Sequence, residues 1–176
     1  PTGTMPTISA TYPEEWRNNW PIFRGPAGTG IAEVDDYPTE WNVAKGTNLL
    51  WKTTIGLDGK NSPVIWGDQI FVSAANEKQR EVICFSLTDG KELWRKPVPS
   101  SGAKPGNVMA DTGYAASTLA VDGQAVYAMF PNGDVVSFDL DGKNRWTKAL
   151  GGPNNPYGHA SSLNLYGNGL IVLYDQ

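Results

Sequence analysis

Few side chains in the sequence could act as a nucleophile, a general base or a metal ligand, and they lie far apart along the chain. The chain has a single histidine, His159, and a single cysteine, Cys84. Cys84 stands in the alternating run from Glu81 to Ser86, which is typical of a buried strand thiol rather than of a nucleophile. No carboxylate or cysteine stands at metal-ligand spacing from His159, so a structural or solvated histidine is favoured over a metal ligand. The sequence therefore predicts no catalytic residue and no metal site.

Serines and aspartates recur at repeated positions instead of pairing as a nucleophile with a base. Three serines occupy the same place in successive repeats: Ser62, Ser117 and Ser162. Three aspartates fall in predicted turns: Asp89, Asp122 and Asp141. A hydrolase needs its nucleophile within hydrogen-bond reach of a base, whereas recurrence indicates an architectural position. We therefore interpret both sets as structural.

A glycine-rich segment, residues 24–30, invites comparison with a phosphate-binding loop. It lacks the Gly-Lys-Ser/Thr ending of such loops, and no strand signal precedes it. The segment is therefore predicted to be an ordered surface turn within an irregular N-terminal lead-in that covers residues 1–47.

Composition excludes several classes of function. The net charge is −4, and no lysine or arginine cluster is longer than a pair. Nucleic acid, which requires a concentrated basic face, is therefore excluded as a partner. No run of about 18 apolar residues is present, so we expect no membrane-spanning segment. Twenty glycines, thirteen prolines, seven tryptophans and seven tyrosines indicate short strands joined by tight turns, and hence an all-β fold.

An internal repeat organises the chain beyond the lead-in. The first copy has strand signals at about residues 62–66, 69–74, 81–86 and 92–98, and the second at about 116–121, 124–130, 134–139 and 144–149. Asp-Gly pairs at 89–90 and 141–142 supply a tight hairpin turn before the last strand. Each copy is therefore predicted to be a four-stranded antiparallel meander, and the beginning of a third copy follows.

Each complete copy carries a tryptophan in its last strand, Trp94 or Trp146, within the element Asp-Gly-Lys-x-x-Trp. A large flat side chain suits the joint between sheets that pack face to face, so we predict a structural docking role for both. Trp51 carries the same last-strand signature but precedes the first complete copy. We interpret residues 48–55 as a closing strand. It would pair with the last four-stranded sheet, or blade, of a ring of such sheets.

Tandem meanders with these elements resemble the pyrroloquinoline-quinone-like repeat β-propellers, a family that includes the propeller lipoprotein of the outer-membrane β-barrel assembly machine. The resemblance covers residues 48–176 and rests on Ser-Pro-Val-Ile-x-Gly-Asp at 62–68 and on the two Asp-Gly-Lys-x-x-Trp elements. It implies a first blade over 61–98, a second over 114–150 and the start of a third over 158–176. The chain then holds about two and a half blades of a ring of about eight. We expect the remaining blades to come from the rest of a longer chain or from another copy.

The family also contains quinoprotein dehydrogenases, which bind the quinone over the central channel with a calcium or lanthanide ion, and several of which carry an adjacent cysteine pair. This sequence has one cysteine and no acidic cluster at the inner-strand ends. We therefore expect no cofactor. Pyrroloquinoline quinone with calcium is expected only under the alternative that the protein is a quinone-dependent dehydrogenase.

The lead-in from Asn19 to Gly30 looks like that of secreted bacterial propellers of this family with no assigned reaction. The start of the chain, rich in proline, threonine and serine, resembles a tether left after leader removal. We therefore expect a non-enzymatic binding or scaffolding propeller, periplasmic or extracellular, whose partner is a protein or a glycan. A glycan-binding or sensor domain of a larger protein is a further alternative. Alignment of the repeats places Lys60, Tyr114 and His159 near the mouth of the central channel, where they would contact a ligand.

Overall fold

The structure is a computed structural model that describes residues 12–32, 37–155 and 159–174. Parts of the predicted lead-in, residues 1–11 and 33–36, lie outside the described residues, as do residues 156–158 and 175–176 of the predicted third blade. The described residues form ten strands and no α-helix, and a short 3₁₀ helix, Glu14–Asn18, lies in the lead-in. The predicted all-β fold class is confirmed.

Two four-stranded antiparallel sheets follow one another along the chain, each with its strands in sequential order. The first blade contains β1 (Val64–Trp66), β2 (Gln69–Ala75), β3 (Arg80–Ser86) and β4 (Glu92–Pro97). The second blade contains β5 (Ala120–Val121), β6 (Ala125–Met129), β7 (Asp134–Asp139) and β8 (Asn144–Ala149). A hairpin of β9 (Asn164–Tyr166) and β10 (Gly169–Ile171) begins a third blade. The predicted meanders are therefore present.

The last hairpin of each blade has the same local irregularity. The register shifts between Cys84 and Phe85 in the first blade and between Ser137 and Phe138 in the second. The glycine of each Asp-Gly turn has a left-handed backbone, which a residue with a side chain adopts only at a cost in strain. The Asp-Gly-Lys-x-x-Trp element thus encodes a tight turn, a bulge and the position of the tryptophan together.

The sheets pack face to face, and the core lies between them. Phe71, Val82 and Cys84 of the first blade share one buried cluster with Val136 and Phe138 of the second. A second cluster covers the opposite face of the first blade, and a third lies between the second blade and the hairpin of the third. The middle strands are buried along most of their length because both of their faces are covered.

The first strands of successive blades converge. The amide of Ser62 donates to Thr118 Oγ1 at 3.0 Å, and the amide of Thr118 donates to Ser162 Oγ at 3.4 Å. The strand registers make Ser62, Thr118 and Ser162 equivalent, so the predicted placement of Ser117 at this position is wrong by one residue. β5, at Ala120–Val121, is shorter than the strand predicted over 116–121. The first strand of each blade therefore lies at an edge of its sheet, next to the first strand of the neighbouring blade.

Residues 48–55 form no strand in the described structure. Their predicted role is to pair with a final blade, and the described residues include no such blade, so the closing strand stays a prediction. None of the helices among the described residues has the length and apolar character needed to cross a membrane.

Alkaline conditions are expected to destabilise the fold. Burial raises the pKa of the Cys84 thiol from 9.0 to about 12. Burial, followed by a hydrogen bond to Asp122, raises the pKa of Tyr127 from 10.0 to about 12. Both groups bind their protons more tightly when folded, so their stabilisation is present in full below about pH 9 and is lost as the pH rises toward 12.

Urea unfolding between pH 8 and pH 11 measures this loss. The double variant Cys84→Ala/Tyr127→Phe removes both protons and should show a weaker decline of the free energy of unfolding than the unmodified chain. Equal declines in the two proteins would contradict the assignment.

Candidate functional site

A depression of about 410 Å³ lies between the first and second blades, at the end of the sheets where β2 turns into β3. Three segments build it: the β2–β3 hairpin, the long connection from β4 to β5 and the β6–β7 turn. The lining residues are Glu77, Arg80, Ser100, Ala103, Lys104, Pro105, Tyr114, Pro131 and Asn132. This volume falls in the range of small-ligand sites, and the walls come from connections held on a rigid sheet scaffold.

A buried carboxylate ties the three segments together. Asp134 is fully buried and accepts hydrogen bonds from the amide of Ser101 at 3.1 Å and from Asn132 Nδ2 at 2.5 Å. Arg80 Nη1 lies 3.6 Å from Asp134 Oδ2, and the Arg80 side chain is 11% exposed. One side chain of the second blade therefore anchors the hairpin of the first blade and the connection between the blades.

Asn132, one of the lining residues, carries a buried acceptor that no described residue uses. Its Nδ2 donates to Asp134, so the amide orientation is determined and Oδ1 points away from the carboxylate. Oδ1 is buried and has no hydrogen-bond donor among the described residues. A buried acceptor without a donor costs about 1–3 kcal/mol. A ligand hydroxyl, an ammonium group or an ordered water would remove that cost.

The rest of the lining is polar at the rim and aromatic at depth. Lys104 and Glu77 are exposed, whereas Tyr114 is half-buried against the core between the two blades. Two further hollows are lined by residues between 37 and 50, all of which are exposed. Only the inter-blade depression combines buried polar groups with an aromatic wall among these three, which is the usual make-up of a binding site.

Of the three side chains that the sequence placed at the channel mouth, Tyr114 lines the inter-blade depression. The channel-mouth placement itself stays a prediction. Lys60 is exposed, and its amide donates to the carbonyl of Ala115 at 2.8 Å, but Lys60 is not one of the lining residues. His159 is 7% exposed and packs against the ring of Tyr174, with ring centroids 5.6 Å apart. His159 therefore does not line the depression either.

Sequence reasoning missed Arg80, Asn132 and Asp134. The available signal was the acidic residue that opens the apolar strand Asp134 to Phe138, because a carboxylate in a buried strand needs a cationic or hydrogen-bonding partner. The Asn-Gly turn before it was a second signal. Neither signal identifies Arg80 as the partner, since the two residues belong to different repeats.

Two of the three predicted docking tryptophans contact equivalent turns. Trp94 Nε1 donates to the carbonyl of Leu140 at 2.8 Å, and the indole covers Gly142, where a Cβ would lie 2.8 Å from the ring. Trp51 Nε1 donates to the carbonyl of Leu87 at the same distance, and its indole leaves no room for a Cβ at Gly90. Each indole thus lies on the Asp-Gly turn of the blade that follows it in the chain.

The third predicted docking residue has a different environment. The ring of Trp146 lies 5.9 Å from that of Tyr127 in its own blade. The described part of the third blade ends after β10, so the structure contains no Asp-Gly turn on which Trp146 would lie.

A metal or quinone site needs several ligand side chains close together. No three of their histidine, cysteine, aspartate and glutamate side chains cluster closely enough to hold an ion. The thiol of Cys84 is buried inside the blade core, away from the first-strand edges. The expectation that the protein binds no quinone stays a prediction.

Comparison with protein families agrees with the repeated four-stranded sheets. The family described as outer membrane protein assembly factor BamB matches residues 31–168, which is more than half of the chain. The chain belongs to the PQQ-like repeat β-propeller family. No curated protein sequence is significantly similar to the chain.

Solved propellers share the fold at low sequence identity. BamB from Moraxella catarrhalis superposes with a TM-score of 0.54 and 14% identity over 72% of this chain and 38% of its own. A europium-containing methanol dehydrogenase superposes with a TM-score of 0.60 and 16% identity over 86% of this chain and 26% of its own. A quinohemoprotein alcohol dehydrogenase from Pseudomonas putida HK5 superposes with a TM-score of 0.50 and 14% identity over 70% of this chain and 18% of its own. The chain thus spans well under half the length of these propellers.

Proposed function

We propose that the protein is a non-enzymatic binding propeller of the bacterial envelope or exterior, and that the inter-blade depression receives a polar group of a protein partner. The observation that carries the proposal is the donor-free Oδ1 of Asn132, a residue that lines a depression whose walls are tied together by Asp134. The family description, an assembly factor for outer membrane proteins, supports a protein as the partner.

The chemistry of the depression defines what the partner must present. Asn132 Oδ1 requires a hydrogen-bond donor, such as a serine, threonine or lysine side chain. The exposed pair Glu77 and Lys104 favours polar or charged groups at the rim, and the half-buried ring of Tyr114 provides an apolar wall. We expect an extended polar segment to lie across the depression with one donor-bearing side chain inserted.

Binding to defined probes tests this proposal. The probes are synthetic peptides from outer-membrane β-barrel strands, an oligosaccharide array, and pyrroloquinoline quinone with calcium chloride. We expect a peptide to bind, and we expect Asn132→Ala to weaken that binding about fivefold, because a hydrogen bond contributes about 1 kcal/mol. Lys104→Ala is expected to weaken it by a factor of about two to five, as for a charge at an exposed rim.

The control is Lys143→Ala, which removes an exposed lysine from the distant β7–β8 turn and should leave affinity unchanged. Oligosaccharide binding with the same variant pattern would replace the protein partner with a glycan. Binding of the quinone, or peptide binding that Asn132→Ala leaves intact, would overturn the proposal.

A further inference from the structure

The lead-in crosses the converging first strands of the blades. Trp20 pairs with Ile65 of β1 as an isolated antiparallel bridge, with N–O distances of 3.0 and 2.9 Å. The next carbonyl along the lead-in, that of Pro21, accepts from the amide of Val121 in β5 at 2.9 Å. The opposite edge of each strand pairs within its own blade, so the lead-in covers the edges of β1 and β5 that have no partner strand in their own sheets.

The two contacts obey the symmetry of the repeat. Ile65 and Val121 occupy equivalent register positions in the two blades, and consecutive carbonyls of the lead-in cap their amides. Asn19 Oδ1 adds a contact by accepting from the amide of Gly67, in the β1–β2 turn, at 2.7 Å. The lead-in therefore lies at the turn end of the first strands, opposite the end that carries the inter-blade depression.

Apolar burial holds the segment in place. Trp16 is 8% exposed and Ile22 is 5% exposed, and both belong to one buried cluster with Ala120, Met129 and Leu163. The cluster therefore joins the lead-in to the second blade and to the start of the third. Burial of these two large apolar side chains stabilises the attachment of the segment to the blades.

The segment after these contacts is a compact turn. The amide of Gly25 donates to Ile22, and that of Gly30 donates to Arg24, which itself has a left-handed backbone with φ of 65°. Gly25 lies against the Trp20 ring, where a Cβ would be 2.7 Å away. The glycines therefore let the chain fold back on itself directly after crossing the strand edges, as the predicted ordered turn requires.

We infer that residues 16–26 form an axial plug, which closes the turn-side mouth of the propeller channel and protects the free edges of β1 and β5. Unpaired strand edges recruit other strands, so covering them also prevents edge-to-edge association. The plug does not depend on which ligand the protein binds.

Amide hydrogen exchange of the chain tests the plug. The amides of Ile65 and Val121 should be protected, because the carbonyls of Trp20 and Pro21 accept their hydrogen bonds. The double variant Trp16→Ala/Ile22→Ala removes the buried anchors, and exchange at both amides should accelerate at least about tenfold as the segment detaches. The amides of core strands β3 and β7 should keep their protection.

Phe23→Ala is the matched control, because Phe23 adjoins Ile22 but is 48% exposed. It should leave exchange at Ile65 and Val121 unchanged. If the double variant also loses protection in β3 and β7, the single variant Ile22→Ala provides the test, because it removes one anchor and destabilises the fold less. Fast exchange of Ile65 and Val121 in the unmodified chain, or protection that survives loss of the anchors in a folded variant, would overturn the inference.

Discussion

Trp94→Ala is expected to lower the free energy of unfolding by about 3 kcal/mol, the lower end of the range for truncating a large aromatic core side chain, because Trp94 is half-buried. The indole lies between two phenylalanines, one from each blade, with ring centroids 5.9 Å from Phe71 and 6.0 Å from Phe138. Its Nε1–H group, the only hydrogen-bond donor of the side chain, also donates to the carbonyl of Leu140 across the joint. The substitution therefore removes packing and a hydrogen bond between the blades at once.

Urea unfolding monitored by circular dichroism measures this effect, with two matched controls. Trp94→Phe keeps the aromatic ring and loses the hydrogen bond, so it should cost much less than Trp94→Ala. Leu93→Ala alters the neighbouring residue of β4, which is 48% exposed, and should change stability by no more than about 0.5 kcal/mol. A loss at Trp94→Ala no larger than that at Leu93→Ala would show that the indole does not hold the blades together.

The second large effect is expected at Asp134. Asp134→Ala leaves the Arg80 guanidinium, which is 11% exposed, and the amide of Ser101 without their acceptor. Removing one partner of a buried ion pair costs about 3–5 kcal/mol, because the remaining charge stays desolvated. The walls of the inter-blade depression should separate as well, since three segments lose their common anchor.

The change in the urea midpoint of unfolding measures the loss of stability. Increased protease cleavage of the connection from β4 to β5 would show that this wall of the depression has loosened. Asp58→Ala, at an exposed position in the irregular segment before β1, is the control and should change stability by about 0.5 kcal/mol or less. The double variant Arg80→Met/Asp134→Leu replaces the pair with apolar groups and should recover much of the lost stability. Equal stability of Asp134→Ala and Asp58→Ala would show that the carboxylate is not an anchor.

The contacts of Trp51 and Trp94 define how one blade engages the next. Each indole lies on the Asp-Gly turn of the following blade and donates to a carbonyl within that turn. Because Trp51 contacts the first blade as Trp94 contacts the second, the position of Trp51 corresponds to that of a last strand preceding the first blade. The docking role and the closing strand remain predictions, and the Trp94 variants test the first of them.

The sequence by itself determined the elements of the blades. Alternating apolar residues, Asp-Gly pairs and the tryptophan four residues after each glycine are local signals, and the strands they predicted fall close to those of the structure. These signals work because each hairpin depends on residues that are neighbours in the chain. The buried Cys84 followed from the same alternation.

Only the tertiary structure decided which connections meet. Ser101 and Asp134 are 33 residues apart, and Trp20 reaches Ile65 from an irregular segment with no periodic pattern. Such contacts depend on how the blades stack, which local propensity does not specify. The depression and the axial position of the lead-in therefore emerge only when the sheets are placed face to face, because packing between distant segments brings their polar groups together.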